Sequence, residues 1–159
     1  MDTQILIGLL LTILPVFELR GGLPIVMEYT IRNGLPIWPY FLLVLLLNIV
    51  VIIFIFIFLD FLHERFMEIK WYRKVVERVL KRIQSKVRKI EKRIDEWDYF
   101  ALMLLVAVPL PGTGAWTGTL IAWILGLNRI KSFMAIAAGV VVAGLIVLLL
   151  SLGFLNGFY

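Results

Sequence analysis

Two short runs concentrate the chemistry of this sequence. The first, Pro15-Val-Phe-Glu-Leu-Arg-Gly-Gly-Leu-Pro24, sets one carboxylate, Glu18, two residues from one guanidinium, Arg20, and follows them with Gly21 and Gly22. The second, Pro109-Leu-Pro-Gly-Thr-Gly-Ala-Trp-Thr-Gly118, begins 94 residues later. It supplies the hydroxyls of Thr113 and Thr117, the indole N–H of Trp116, and Gly112 and Gly114. A guanidinium can hold a phosphate or carboxylate through two parallel hydrogen bonds, and a neighbouring acid can steady it or exchange a proton. Gly21 and Gly22 allow close backbone approach, and Pro24 suits the first turn of a helical limb whose free N–H groups point back at the break. A Gly-Thr-Gly turn entering a helix near Ala115 is likewise an anion cradle, with N–H groups and a positive dipole end. The structural alternative is that Glu18 and Arg20 pair with each other or with carbonyls, and that Thr117 and Thr119 only satisfy local backbone. Asn48, further along, serves either as an interhelical hydrogen bond or as part of the same site.

Other chemistry is excluded by what the chain contains. With no cysteine and one histidine, His63, it offers no thiolate and no ligand cluster. No nucleophile stands beside a base and no P-loop is present, so neither catalysis nor a bound cofactor is expected.

Both runs interrupt apolar sequence. The chain has 159 residues, 62% of them hydrophobic, which points to an integral membrane protein. Residues 4–17, apolar but preceded by Asp2 rather than a basic stretch, read as mature structure and not as a signal peptide. Pro36 to Leu62 and Ser132 to Leu155 exceed the ~20 apolar residues that span a bilayer. The limbs flanking the breaks, 4–17 with 23–31 and 99–108 with 115–127, are too short to cross. They predict two re-entrant hairpins, each closed by a turn (Asn33-Gly34 and Gly126-Leu127-Asn128) and followed by a long helix. Ala135, Gly139 and Ala143 form a small-residue packing stripe on the second long helix.

Charge gives the expected orientation. Residues 63–98 carry twelve Lys/Arg against seven Asp/Glu, the whole formal excess of +5, so this segment is read as cytoplasmic and both termini as outside. Within it, Val76, Leu80, Ile83, Val87, Ile90, Ile94 and Trp97 follow a 4,3 spacing. That is an amphipathic helix, lying on the membrane surface or pairing with a second copy through residues 76–97. Acids alternate with its bases and no base-reading motif occurs, so nucleic acid is not an expected partner. Glu28 and Arg32 read as an exposed i,i+4 pair, and Asp60 as a group reaching the interface.

On the motifs Glu18-Leu-Arg-Gly-Gly-Leu-Pro24 and Pro109 to Gly118, the sequence resembles the small multidrug export protein family over nearly its whole length. In layout it is also similar to the DedA/VTT-domain superfamily, and that resemblance implies two opposed re-entrant hairpins, lipid transport including polyprenyl phosphates, and Glu18 and Arg20 at the site. Members of that superfamily usually carry arginines in the second hairpin, where this chain has Thr, Trp and Gly.

The expected fold is therefore an all-α polytopic membrane protein of two inverted repeats, 1–62 (hairpin 3–34, helix 36–62) and 99–159 (hairpin 99–128, helix 131–155), joined by the basic helix 63–98. The expected function is transport of an amphiphilic anion, preferably a lipid-linked phosphate, with membrane lipid as partner and an ion gradient or the substrate's own gradient as the source of drive. The substrate-binding set is Arg20, Glu18, Gly21, Gly22, Gly112, Thr113, Gly114, Trp116, Thr117 and Asn48. The rival functions are a drug/proton antiporter using Glu18 and a non-transporting scaffold or insertion factor.

Overall fold

The computed structural model describes residues 3–67, 96–110 and 112–156. Among them are six helices and no strand: α1 (Thr3–Ile13), α2 (Glu18–Arg32), α3 (Ile37–Met67), α4 (Glu96–Ala107), α5 (Ala115–Ile124) and α6 (Arg129–Asn156). Most of the expected basic helix, including Val76 to Ile94 and its dimer contact, lies outside the described residues, as does Pro111.

Length separates the helices into two kinds. Ile37–Arg65 of α3 and Arg129–Phe154 of α6 hold 29 and 26 residues and are apolar enough to cross a membrane. The other four have 11, 15, 12 and 10 residues, all short of the roughly 20 needed for about 30 Å of hydrocarbon. The hairpin turns fall where expected. Gly34 and Gly126 take φ of 62° and 65°, a left-handed conformation that glycine adopts without a Cβ clash. Asn128 then starts α6, its side-chain oxygen accepting the N–H groups of Ile130 and Lys131 at 3.1 Å each.

The first break is shorter than the sequence implies. The expectation left residues 18–22 out of helix and began the second limb at Leu23, whereas α2 starts at Glu18 and runs through Gly21, Gly22 and Pro24. Helical bonding resumes at once, Glu18 N–H to the Leu14 carbonyl at 2.9 Å and Gly21 N–H to that of Phe17 at 3.0 Å. Pro24 withholds one donor from the Arg20 carbonyl, and each helical glycine costs about 1 kcal/mol against alanine. The crossing of α1 and α2 offsets this. A Cβ on Gly22 would stand 2.0 Å from Thr12 Oγ1 and 2.4 Å from the Gly8 carbonyl, and one on Gly8 would meet Val26 at 2.6 Å. Only two bare backbones fit there. The second break, between Ala107 and Ala115, matches the sequence reading.

Packing exchanges the short helices between halves. α1 lies on α2 and α4 lies on α6, while α2 packs against α6, α5 packs against α3, and the two long helices touch. Leu23 and Met27 of α2, Val44 and Ile52 of α3, Val106 of α4 and Ile136 of α6 are buried at the centre. The small-residue stripe of α6 does pack: a Cβ on Gly139 would fall 2.6 Å from the Met103 carbonyl and 2.8 Å from Val106.

Because the Gly8 carbonyl and the Thr12 backbone N block Gly22 along with the Thr12 hydroxyl, Gly22→Ala is expected to destabilise the protein by about 1–3 kcal/mol. Gly153, where a Cβ meets nothing within 4 Å, provides the control. Gly153→Ala should melt no lower than wild type in detergent. Equal melting of the two variants would mean that the α1–α2 crossing is looser than described.

Candidate functional site

Depth comes first, because it decides what a charge there must find. Asn48 stands eleven residues after Ile37 and twelve before Asp60 on α3, about 16 and 18 Å along the axis. It is buried, and its side-chain amide donates to the Thr12 carbonyl at 3.0 Å, on the last turn of α1. The first break is thereby fixed beside the middle of a long apolar helix. Asn48 makes the interhelical hydrogen bond, and it also lines the cleft described below.

The second break docks onto the first at this level. The Glu18 carboxylate, in a residue 6% exposed, accepts the Trp116 backbone N–H at 3.1 Å and lies beside that of Ala115. These are the opening N–H groups of α5, which receives no side-chain cap from its own N-cap residue, Gly114. Glu18 caps a helix of the other half. A helix N-terminus also carries positive partial charge, so the carboxylate is favoured there twice. Gly114 makes the approach possible, because a Cβ would sit 1.7 Å from Glu18 Oε2. Glu18 itself has φ of 48°, the one positive φ among described non-glycine residues, a conformation costing about 1–2 kcal/mol. Its hydrogen bonds offset that strain.

Arg20 reaches the same turn from two positions on. Its Nη2 donates to Thr113 Oγ1 at 3.1 Å, and the Thr113 hydroxyl proton is shared between the Val108 and Leu110 carbonyls at 2.8 and 2.9 Å. The Trp116 indole donates to the Ile13 carbonyl at 3.0 Å, satisfying the end of α1. Among the described residues no ion pair joins Glu18 to Arg20. The sequence alternative that they pair with each other is replaced by a crossed arrangement in which each grips the other half. Glu18, Leu19, Arg20, Asn48, Gly114 and Ala115, with Val106, Val140 and Ala143, line a cleft of about 10 Å³, room for about one water.

The remaining candidates divide. Gly112, with φ of 83°, makes the reversal of the second break. Gly22 is committed to the α1 crossing, and Gly21 faces Phe17, whose Cβ would lie 2.8 Å from an added Cβ. Thr117 is half-buried on α5, and Thr119 binds the Ala115 carbonyl at 2.6 Å, its structural reading. Glu28 and Arg32 form their expected pair at 2.8 Å.

Sequence reasoning missed a second polar cluster, near the far end of α3. Asp60 accepts the Trp123 indole N–H at 2.9 Å and Arg129 Nη2 at 2.8 Å, and a further bond joins Arg129 Nη1 to its other oxygen. His63, one turn on, meets the Trp123 ring edge to face at 5.3 Å. An aspartate in an apolar run was the only signal, since its partners lie more than sixty residues away.

These residues fall within a family match. The family model described as "Putative small multi-drug export protein" matches residues 18–146, most of the chain, and the chain belongs to that family. No curated protein and no solved structure matches it.

The capping contact predicts a coupled pair of variants. Glu18→Ala strips α5 of its acceptor and Gly114→Ala drives the carboxylate away, so each should cost about 1–3 kcal/mol. Because both break one contact, the double variant should be more stable than the sum by about 1 kcal/mol or more, read from melting of the four proteins in one detergent. Strict additivity would mean that Glu18 does not cap α5.

Proposed function

We propose that this chain is a membrane transporter of an amphiphilic anion, with a lipid-linked phosphate such as a polyprenyl phosphate as the preferred substrate. The observation that carries the reading is the meeting of two chain breaks, one from each half, beside the midpoint of α3. Non-helical backbone at membrane depth is tolerated where protein or a polar cavity satisfies it. Here each break satisfies the other, through Glu18 with Trp116 and Arg20 with Thr113.

In this reading α1–α2 and α4–α5 are re-entrant hairpins and the halves are inverted repeats. Two facts support it: all four limbs are too short to span, and α2 packs on α6 as α5 packs on α3, the pair of contacts that a twofold relation exchanges, while α1 lies on α2 and α4 on α6 without that symmetry. The basic segment 63–98 is cytoplasmic and both termini are outside. A cleft sized for one water is then a closed state, and substrate enters when the two breaks part. A guanidinium has five N–H donors, and one Arg20 nitrogen is engaged by Thr113, so the others are offered to a phosphate. The N–H groups now held by Glu18 become available if that carboxylate moves aside. The family description, multi-drug export, supports transport in general.

A second reading, drug/proton antiport, is favoured by one observation: Glu18 is the single buried carboxylate among the described residues. It would be the group for which proton and cationic drug compete, with Arg20 nearby opposing a cation.

Transport of a fluorescent polyprenyl phosphate and of a cationic dye, in the same reconstituted vesicles, separates the two. For the anion, Arg20→Lys keeps charge but loses the planar fork, and binding should weaken more than tenfold, about 1.4 kcal/mol or more. Dye efflux with no movement of the phosphate would favour antiport. Full activity of the double variant Glu18→Gln with Arg20→Gln would make the pair structural and overturn both readings. Topology is tested separately, since the chain has no cysteine. Asn33→Cys should react with an impermeant thiol reagent only from outside and Ser85→Cys only from inside; labelling from one common side removes the inverted repeat.

A further inference from the structure

The Asp60 cluster has no part in the site, yet it is tied to it by a single short helix. α5 is bonded to the first half at both ends. At its start, the Trp116 backbone N–H goes to Glu18 and the Trp116 indole to the Ile13 carbonyl. Near its end, Trp123 donates to Asp60 on α3. Just beyond the turn, Arg129, the first residue of α6, takes both oxygens of the same carboxylate. One side chain of the first half thus holds both sides of the α5–α6 turn.

Between those two pins α5 buries only Ala115, Gly118, Thr119 and Ala122. Gly118 lies close against Val106 and the larger Ile121 is only partly buried on the core, so the polar hold on this helix is concentrated at its ends, and small sliding of packed helices is an established mode of opening. The site lies about 18 Å from the Asp60 level along α3, with Val51, Ile52, Ile55 and Phe56 buried in between. The Asp60 end is closed by apolar packing and tied by the Asp60–Trp123–Arg129 clamp, beside the hydrogen bond from Asn128 N–H to the Tyr99 hydroxyl. The clamp is also breakable. The side chains of Arg129 and Asp60 are 62% and 30% exposed, and exposed ion pairs contribute little net stability.

We propose that Asp60 is the gate residue at this end of the transport path. It clamps α5 and α6 to α3 while the Arg20 site is closed to that side, and it releases Trp123 and Arg129 when the site opens there. The assignment rests on the transporter reading for the word path, but the movement it requires does not depend on any substrate.

Two measurements test it. In the first, spin labels on Phe61→Cys and Ile124→Cys, both exposed positions, report the α3–α5 separation in nanodiscs. Asp60→Asn, which removes the charge and keeps an acceptor for Trp123, should add a second, longer and well-defined distance, and Asp60→Glu should return the distribution to the wild-type one. An unchanged distribution in Asp60→Asn, or general broadening that Asp60→Glu does not reverse, overturns the gate. In the second, Asp60→Cys with Arg129→Cys is bridged by a short reducible bis-thiol reagent in vesicles assayed with the fluorescent polyprenyl phosphate. Bridging should lower transport at least tenfold and reduction should restore it, whereas full transport through the bridged protein overturns the gate. If the second distance appears and the lipid phosphate never crosses in wild type, the gate stands and the substrate reading falls.

Discussion

The structure turns on one constraint: a backbone that stops being helical in the middle of an apolar bundle must have its N–H and C=O groups met by protein. Four short helices end beside the midpoint of α3, and the end of α1 and the start of α5 are met from across the chain. Asn48 takes the Thr12 carbonyl, the Trp116 indole takes that of Ile13, and Glu18 accepts the Trp116 N–H in the first turn of α5. Thr113 holds the end of α4 through the Val108 and Leu110 carbonyls and receives Arg20. Removing any one would strand a polar group where water is scarce, so these residues are bound together as a set.

That constraint bears on how a charged site can exist there. Glu18 is buried and unusually conformed at its own backbone, but its carboxylate sits against the positive end of a helix with a glycine cleared for it. Arg20 is left half-buried with donors to spare. The pair is therefore asymmetric, an acid already engaged and a base partly free, and this asymmetry sets the proposed anion reading above a cation-binding one. The near absence of free volume follows from the same set of contacts, because each hydrogen bond that closes a chain end also draws the two breaks together.

Legibility in the sequence followed the range of the interaction. The two long helices, the second break, both glycine turns and the Glu28–Arg32 pair were readable because composition and i,i+4 spacing decide them locally. Glu18 and Arg20 were readable as a candidate site because charge inside apolar sequence is costly wherever it occurs. Their partners were not, since an N–H of Trp116 is invisible until the fold brings it to Glu18. The start of α2 was misplaced for a related reason: Gly21, Gly22 and Pro24 look like breakers, and only the bare-backbone crossing with Gly8 shows why a helix survives there. Asp60 was passed over because its meaning lies wholly in Trp123 and Arg129.

The length of α3 has a consequence of another kind. Its 31 residues make a rod of about 46 Å, against roughly 30 Å of hydrocarbon. The apolar part from Ile37 to Leu59 alone measures about 35 Å, so α3 tilts or the bilayer thickens around it. Each adjustment carries a modest free energy per ångström, and α6, joined to α3 through Asp60 and Arg129, must make the adjustment with it. Bilayer thickness is thereby expected to act on the common tilt of α3 and α6, the two helices against which the short ones pack.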